Sequence, residues 1–71
     1  MIKFKINVLN ELKKIGYTTY KLKKDNIISG GVITKLQKDD TDLSLKTIDL
    51  ICKLLKCKVS DIIEYISDDI N

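Results

Sequence analysis

Apolar residues recur at helical spacing along most of the chain and at strand spacing only near its start. Val8, Leu9, Leu12 and Ile15 share a broad face of a first helix, predicted from about Asn7 to Ile15. Gly16 follows as its C-terminal cap. Thr18 is placed to cap a second helix, Thr19 to about Asp25, whose clearest core residue is Leu22. Asn26 then interrupts the pattern, and asparagine tolerates a left-handed backbone better than most residues. Ser29 caps a third helix, 30–38, with Ile33 and Leu36 facing inward. After the polar loop Asp39, Asp40, Thr41 and Asp42, Ser44 caps a fourth helix, Leu45 to Leu55. Here the periodicity is strongest, with Leu45, Ile48, Ile51, Cys52 and Leu55 on one face. A fifth helix is predicted from Ser60, with Asp61 suited to its first turn and with Ile62, Ile63 and Ile66 along it.

Ahead of these helices the segment "IKFKI" alternates apolar and basic residues, placing Ile2, Phe4 and Ile6 on one side of a short extended piece. The pattern therefore predicts an all-α domain of five helices, 1–71, with an extended arm at 1–6 and an acidic tail at 67–71. Connections of two to eight residues suit such a bundle.

Length sharpens this picture. A chain of 71 residues has room for one core and buries only ~60% of its unfolded surface, so a second copy would help to stabilise it. Proline is absent and only three glycines occur, which favours helix over turn-rich β structure. No apolar run approaches the ~18 residues needed to span a bilayer, and the N-terminus alternates too much for a signal-peptide core. The expectation is a cytoplasmic protein without membrane contact.

Charge is lopsided. Net charge is +3, yet every lysine lies at or before Lys58. Asp61, Glu64, Asp68 and Asp69 follow with no base among them. A basic body points to an anionic partner, although lysines also serve simply to solvate a small surface. Arginine is absent, so no rigid guanidinium fork is available for phosphate or guanine. Cys52 and Cys57 are five apart, a spacing that separates side chains on a continuous helix. With no histidine in the chain, they are expected to be reduced structural thiols, with no metal site. No nucleophile–base pair and no phosphate-binding glycine loop can be found, and "SGGV" has the wrong flanks for one. An enzyme is not expected, nor are a cofactor and a small-molecule ligand.

The centre of the chain carries the most specific signal. "GYTTYKLKKDNIISGGVITKLQKD" reads as helix, tight turn, helix, with Thr18 and Ser29 as caps. Followed by "TIDLICKLLKCKVSDIIEYI", it resembles the phage-repressor (Xre/Cro) family of helix-turn-helix proteins, in particular a compact single-domain bacterial branch. The resemblance covers about residues 7–66 and rests on many positions in order. It implies a lambda-repressor-like fold, with the helix-turn-helix at 18–38, and transcriptional regulation through double-stranded DNA. In such proteins the third helix enters the major groove while the second crosses the backbone.

Carried over position by position, the resemblance puts Ser29, Gly30, Gly31 and Thr34 at the front of the reading helix. Lys35 becomes the long reader of guanine. Thr18 and Thr19 are offered to phosphate, and Lys38 and Lys46 become charge contacts. Thr18, Ser29 and Ser44 are also fully explained as helix caps. Members of the family usually bind near-palindromic sites as homodimers, and the candidate dimer residues are Phe4, Leu50 and Leu54. Leu50 falls opposite the main apolar face with no obvious core to enter. "IKFKI" could instead pair with its own copy across a two-fold axis.

Three features depart from the family pattern. Lys23 stands where a small alanine is usual, and Ile27 where a turn glycine is usual, leaving Asn26 to take the left-handed position. The loop "DDTD" sets carboxylates where relatives often hold bases. Gly30 and Gly31 leave bare the turn that most often carries base-reading side chains. A competing reading follows from these departures: a helical protein-interaction module descended from a helix-turn-helix domain, with weak or no specific DNA binding.

Overall fold

The computed structural model describes residues 1–67. In chain order the elements are β1 (Ile2–Phe4), α1 (Val8–Lys14), α2 (Thr19–Lys24), α3 (Gly30–Gln37), α4 (Leu45–Leu55), α5 (Val59–Ile62) and β2 (Ile63–Tyr65). The last residues of the predicted acidic tail, including Asp68 and Asp69, lie outside the described part.

The helices begin where short polar side chains can satisfy their open N–H groups. Asn7 Oδ1 accepts from Asn10 N at 3.0 Å, and Thr18 Oγ1 from Lys21 N at 3.2 Å. Ser29 Oγ accepts from Val32 N at 3.3 Å, and Ser44 Oγ from Thr47 N at 3.1 Å. Each such cap stabilises a helix by about 1 kcal/mol. At α5 the arrangement is inverted: the Asp61 carboxylate reaches back to accept from Lys58 N at 3.0 Å.

The first four helices also end in one way. A left-handed residue follows each of them: Gly16 (φ 95°), Asn26 (φ 53°), Asp39 (φ 57°) and Lys56 (φ 54°). The next N–H then folds back onto a carbonyl five residues earlier. Tyr17 N donates to Leu12 O at 2.9 Å, Ile27 N to Leu22 O at 3.0 Å, Asp40 N to Lys35 O at 2.8 Å and Cys57 N to Cys52 O at 3.1 Å. These are Schellman-type ends, which set the side chains of the two bonded residues against each other.

The reversal at Lys56 corrects the expectation for the cysteines. Cys57 is not on α4 but past its end, turned back so that its backbone N–H donates to Cys52 O at 3.1 Å. Burial pushes the Cys57 thiol up from its ordinary pKa, and Cys52 and Asp61 nearby push it the same way.

The core takes one fully buried aliphatic from each helix: Leu12, Leu22, Ile33, Ile51 and Ile62. Val8, Ile28 and Leu36 join the same cluster. Leu45 and Ile15, predicted on core faces, are instead exposed. Leu45 is 86% exposed; it opens α4, about a quarter turn away from the Ile48–Ile51 stripe. Ile15, at the end of α1, is half exposed. Leu50 enters where no core was expected, since it packs partly buried against the cluster, as do Phe4 and Leu54.

The fifth helix also differs from expectation, and with it the all-α description. It starts at Val59, one residue before Ser60, and ends at Ile62; Ile63 turns extended. Ile63–Tyr65 pairs antiparallel with Ile2–Phe4, in the register Ile2↔Tyr65, Lys3↔Glu64, Phe4↔Ile63. Lys5 N to Ile62 O at 2.7 Å and Ile66 N to Met1 O at 2.8 Å continue the ladder at both ends. The partner of "IKFKI" is thus a segment of its own chain. Phe4 and Ile63 turn one face of the ribbon to the core, while Lys3 and Glu64 oppose each other on the other face.

Two stability predictions follow from the core and the helix ends. Leu22→Ala should lose about 2–5 kcal/mol, read as a lower urea midpoint. Lys56→Gly should gain about 1 kcal/mol, because glycine enters the left-handed region without a Cβ clash; an unchanged or lower thermal midpoint would show that Lys56 is unstrained.

Candidate nucleic-acid interface

The turn between α2 and α3 is built from the Schellman end at Asn26. Ile27 N and Ile28 N both donate to Leu22 O, at 3.0 and 3.3 Å. Ile28 is buried beside Leu22 and Ile33, so one apolar residue in the turn ties the two helices to the same core. The left-handed position does fall on Asn26, which leaves Ile27 free to be a packed side chain. Lys23 remains exposed.

Burial on α3 decides which face is left for a partner. Ile33 and Leu36 are buried and Val32 is half-buried, while Gly30, Gly31, Thr34, Gln37 and Lys38 are exposed. At 100° per residue Gly31, Thr34 and Lys38 form the middle of the outer stripe, with Gln37 and Lys35 on its flanks. Thr34 Oγ1 donates to Gly30 O at 3.0 Å. Its proton is therefore committed, and what it offers outward is an acceptor.

A Cβ added at Gly30 or Gly31 meets no heavy atom within 4 Å, and neither residue has a left-handed φ. The fold itself places no demand for glycine at either position.

Lys35, the expected long reader, is half-buried and occupied. Its Nζ donates to Asp42 O at 2.9 Å and lies 3.9 Å from the Asp42 carboxylate. Asp40 accepts from Asp42 N at 2.9 Å, which stiffens the same loop. Asp39, Asp40 and Asp42 are all exposed beside the end of α3. Lys46 is exposed in the first turn of α4. Thr18 is exposed and Thr19 half-buried at the start of α2.

Gln37, in the last turn of α3, is an exposed residue that the helical periodicity does not single out. Its carboxamide is the available signal, since glutamine can pair with both N6 and N7 on the major-groove edge of adenine. A shallow groove brings Gln37 together with Thr19, Asn10 and Lys13, and so joins the end of α3 to the start of α2 and to α1. On α2 the lysines lean on tyrosines, Lys21 over Tyr17 at 5.2 Å and Lys24 over Tyr20 at 5.7 Å. Among the described residues no cluster of three or more metal-ligating side chains occurs, and no helix is long and apolar enough to cross a membrane.

A two-helix unit with one face of α3 left open suits a groove of nucleic acid, and comparison with known families agrees. The profile of the Cro/C1-type HTH DNA-binding domain matches residues 5–68. The chain belongs to this family. Searches of curated proteins and of solved structures find no significant match. The Cro/C1-type assignment makes the chain a DNA-binding domain of regulatory type and accounts for the α2–turn–α3 unit. The matched span takes in β2 and all five helices, whereas β1 precedes it.

The open space around the glycines gives a direct test of their role in the fold. Gly31→Ala should raise stability, by up to about 1 kcal/mol and less near the helix end. A lower thermal midpoint would mean that the glycine serves the fold after all.

Proposed function

We propose that this Cro/C1-type domain is a transcriptional regulator that lays the front of α3 in the major groove of DNA, as a homodimer on a near-palindromic site. The observation that carries the reading is the outer stripe of α3, which none of the described residues covers. In this reading the bare Gly30–Gly31 turn lets the helix backbone come close to the groove. Thr34 accepts from a base amino group, and Gln37 and Lys38 extend the contact along the helix. Thr18 and Thr19 meet phosphate from α2, as Lys46 does from α4. Ser29 holds the front turn in shape.

Lys35 can read guanine only after leaving Asp42, so its contribution is offset by the bond it gives up. Carboxylates at Asp39, Asp40 and Asp42 face the same phosphates and hold non-specific affinity down. Two half-sites about 34 Å apart would match a two-fold dimer. Phe4, Leu50 and Leu54 are largely committed to the core, so their part in a dimer is limited to the edges they still expose.

The acidic loop and the bare helix also favour a second reading, in which α3 docks on a protein. Selection from a pool of random duplexes, followed by anisotropy titration at several salt concentrations, separates the two. The regulator reading expects a two-fold-symmetric motif and an affinity that falls as salt rises. Affinity without salt dependence at low ionic strength would sink it. Within it, Lys38→Ala should weaken binding evenly across sequences and flatten the salt slope by about 1. Gly30→Gln and Gly31→Gln should abolish binding while the fold survives; unchanged or tighter binding would mean that close backbone approach is not used.

A further inference from the structure

Four helices end in the same backbone turn, yet the side-chain pair that the turn brings together differs. At α1 the pair is Leu12 and Tyr17, and at α2 it is Leu22 and Ile27, each joined by the long backbone bond and packed into the core. At α3 it is Lys35 and Asp40. At α4 the two positions are both cysteine. Cys57 N donates to Cys52 O at 3.1 Å, closing the turn through the left-handed Lys56. Both thiols are free and half-buried, so small reagents can reach them.

The 3.1 Å backbone bond holds the two cysteines side by side, the arrangement that a disulfide requires. Residues bonded across a Schellman end have adjacent Cα atoms and converging side chains, and a disulfide needs Cα atoms about 4.4–6.8 Å apart with Cβ atoms facing. At α1 and α2 this position holds an aliphatic–aromatic and an aliphatic pair, which would serve packing equally well here.

We propose that Cys52 and Cys57 are a redox modification site, oxidised by a low-molecular-weight disulfide to an intramolecular disulfide that locks the end of α4. The oxidant is of the glutathione disulfide class. One cysteine thiolate attacks a sulfur of glutathione disulfide, forms a mixed disulfide and releases one glutathione thiolate. The other cysteine thiolate then attacks the protein-side sulfur and releases the second glutathione. Two protons and two electrons leave the protein, and one glutathione disulfide becomes two glutathiones. The bond freezes the turn at Lys56, through which α4 hands the chain to α5 and the ribbon.

The test equilibrates the full chain in glutathione buffers of rising disulfide fraction, quenches it with acid and labels it with iodoacetamide. The expected product has lost two hydrogens by intact mass, takes up no label, stays a single chain on a non-reducing gel and returns to the dithiol with dithiothreitol. Its thermal midpoint should lie several degrees above that of the reduced chain. Cys52→Ser and Cys57→Ser should each stop at a mixed disulfide carrying one glutathione. Three results for the parent chain would overturn the proposal: two labelled thiols at every ratio, glutathione adducts without ring closure, or disulfides between chains.

Discussion

Five aliphatic side chains, one from each helix, meet in a space from which water is fully excluded, and the remaining structure is arranged to let them meet. None of the helices is longer than the 11 residues of α4, below the ~12–15 at which an isolated helix becomes even marginal in water. Each therefore persists only because one face is buried and both ends are closed. A core so small leaves little length for connections, and the chain must reverse within about one residue. The side-chain caps at the starts and the left-handed residues at the stops meet that need.

The proposed reading face is defined by what the core removes. Ile33 and Leu36 must point inward beside Leu22 and Ile28, so the rotation of α3 about its axis is settled by packing before any partner arrives. What remains outward is sparse: two glycines, a threonine with its proton committed, a glutamine and a lysine. With no arginine anywhere in the chain, recognition has few strong donors, and shape and backbone approach carry more of the load. The tie between Lys35 and Asp42 places one of those donors in competition with the protein's own loop.

The sequence was most legible where one residue type has one local use. Thr18, Ser29 and Ser44 cap as their hydroxyls suggest, Gly16 ends α1, and Asn26 takes the turn that Ile27 could not. Asp39 and Lys56 ended helices in the same conformation without any such mark, because there the tertiary fold overrides a poor local preference. Ile62, Ile63 and Ile66 fit a helical period and a strand period almost equally over so short a run. The choice was made by a partner strand some sixty positions earlier, which no local pattern contains. On α3 the outward residues could be named from the periodicity of Ile33 and Leu36, but the occupation of Lys35 depended on where the next loop passes. The cysteine spacing misled because it assumed a helix continuing through Lys56.

The ribbon has a kinetic consequence that its few hydrogen bonds conceal. The packing among α1 to α5 closes shorter spans of chain than the ribbon does, and contacts of shorter span form earlier. Joining Ile2–Phe4 to Ile63–Tyr65 closes nearly the whole polypeptide into a ring, and the entropy of that closure must be met before any strand bond repays it. The ribbon is therefore the last element to assemble and the first to open. A population with a finished helical core and separated chain ends will precede global unfolding, and amide exchange in β1 and β2 will report that opening rather than the stability of the core.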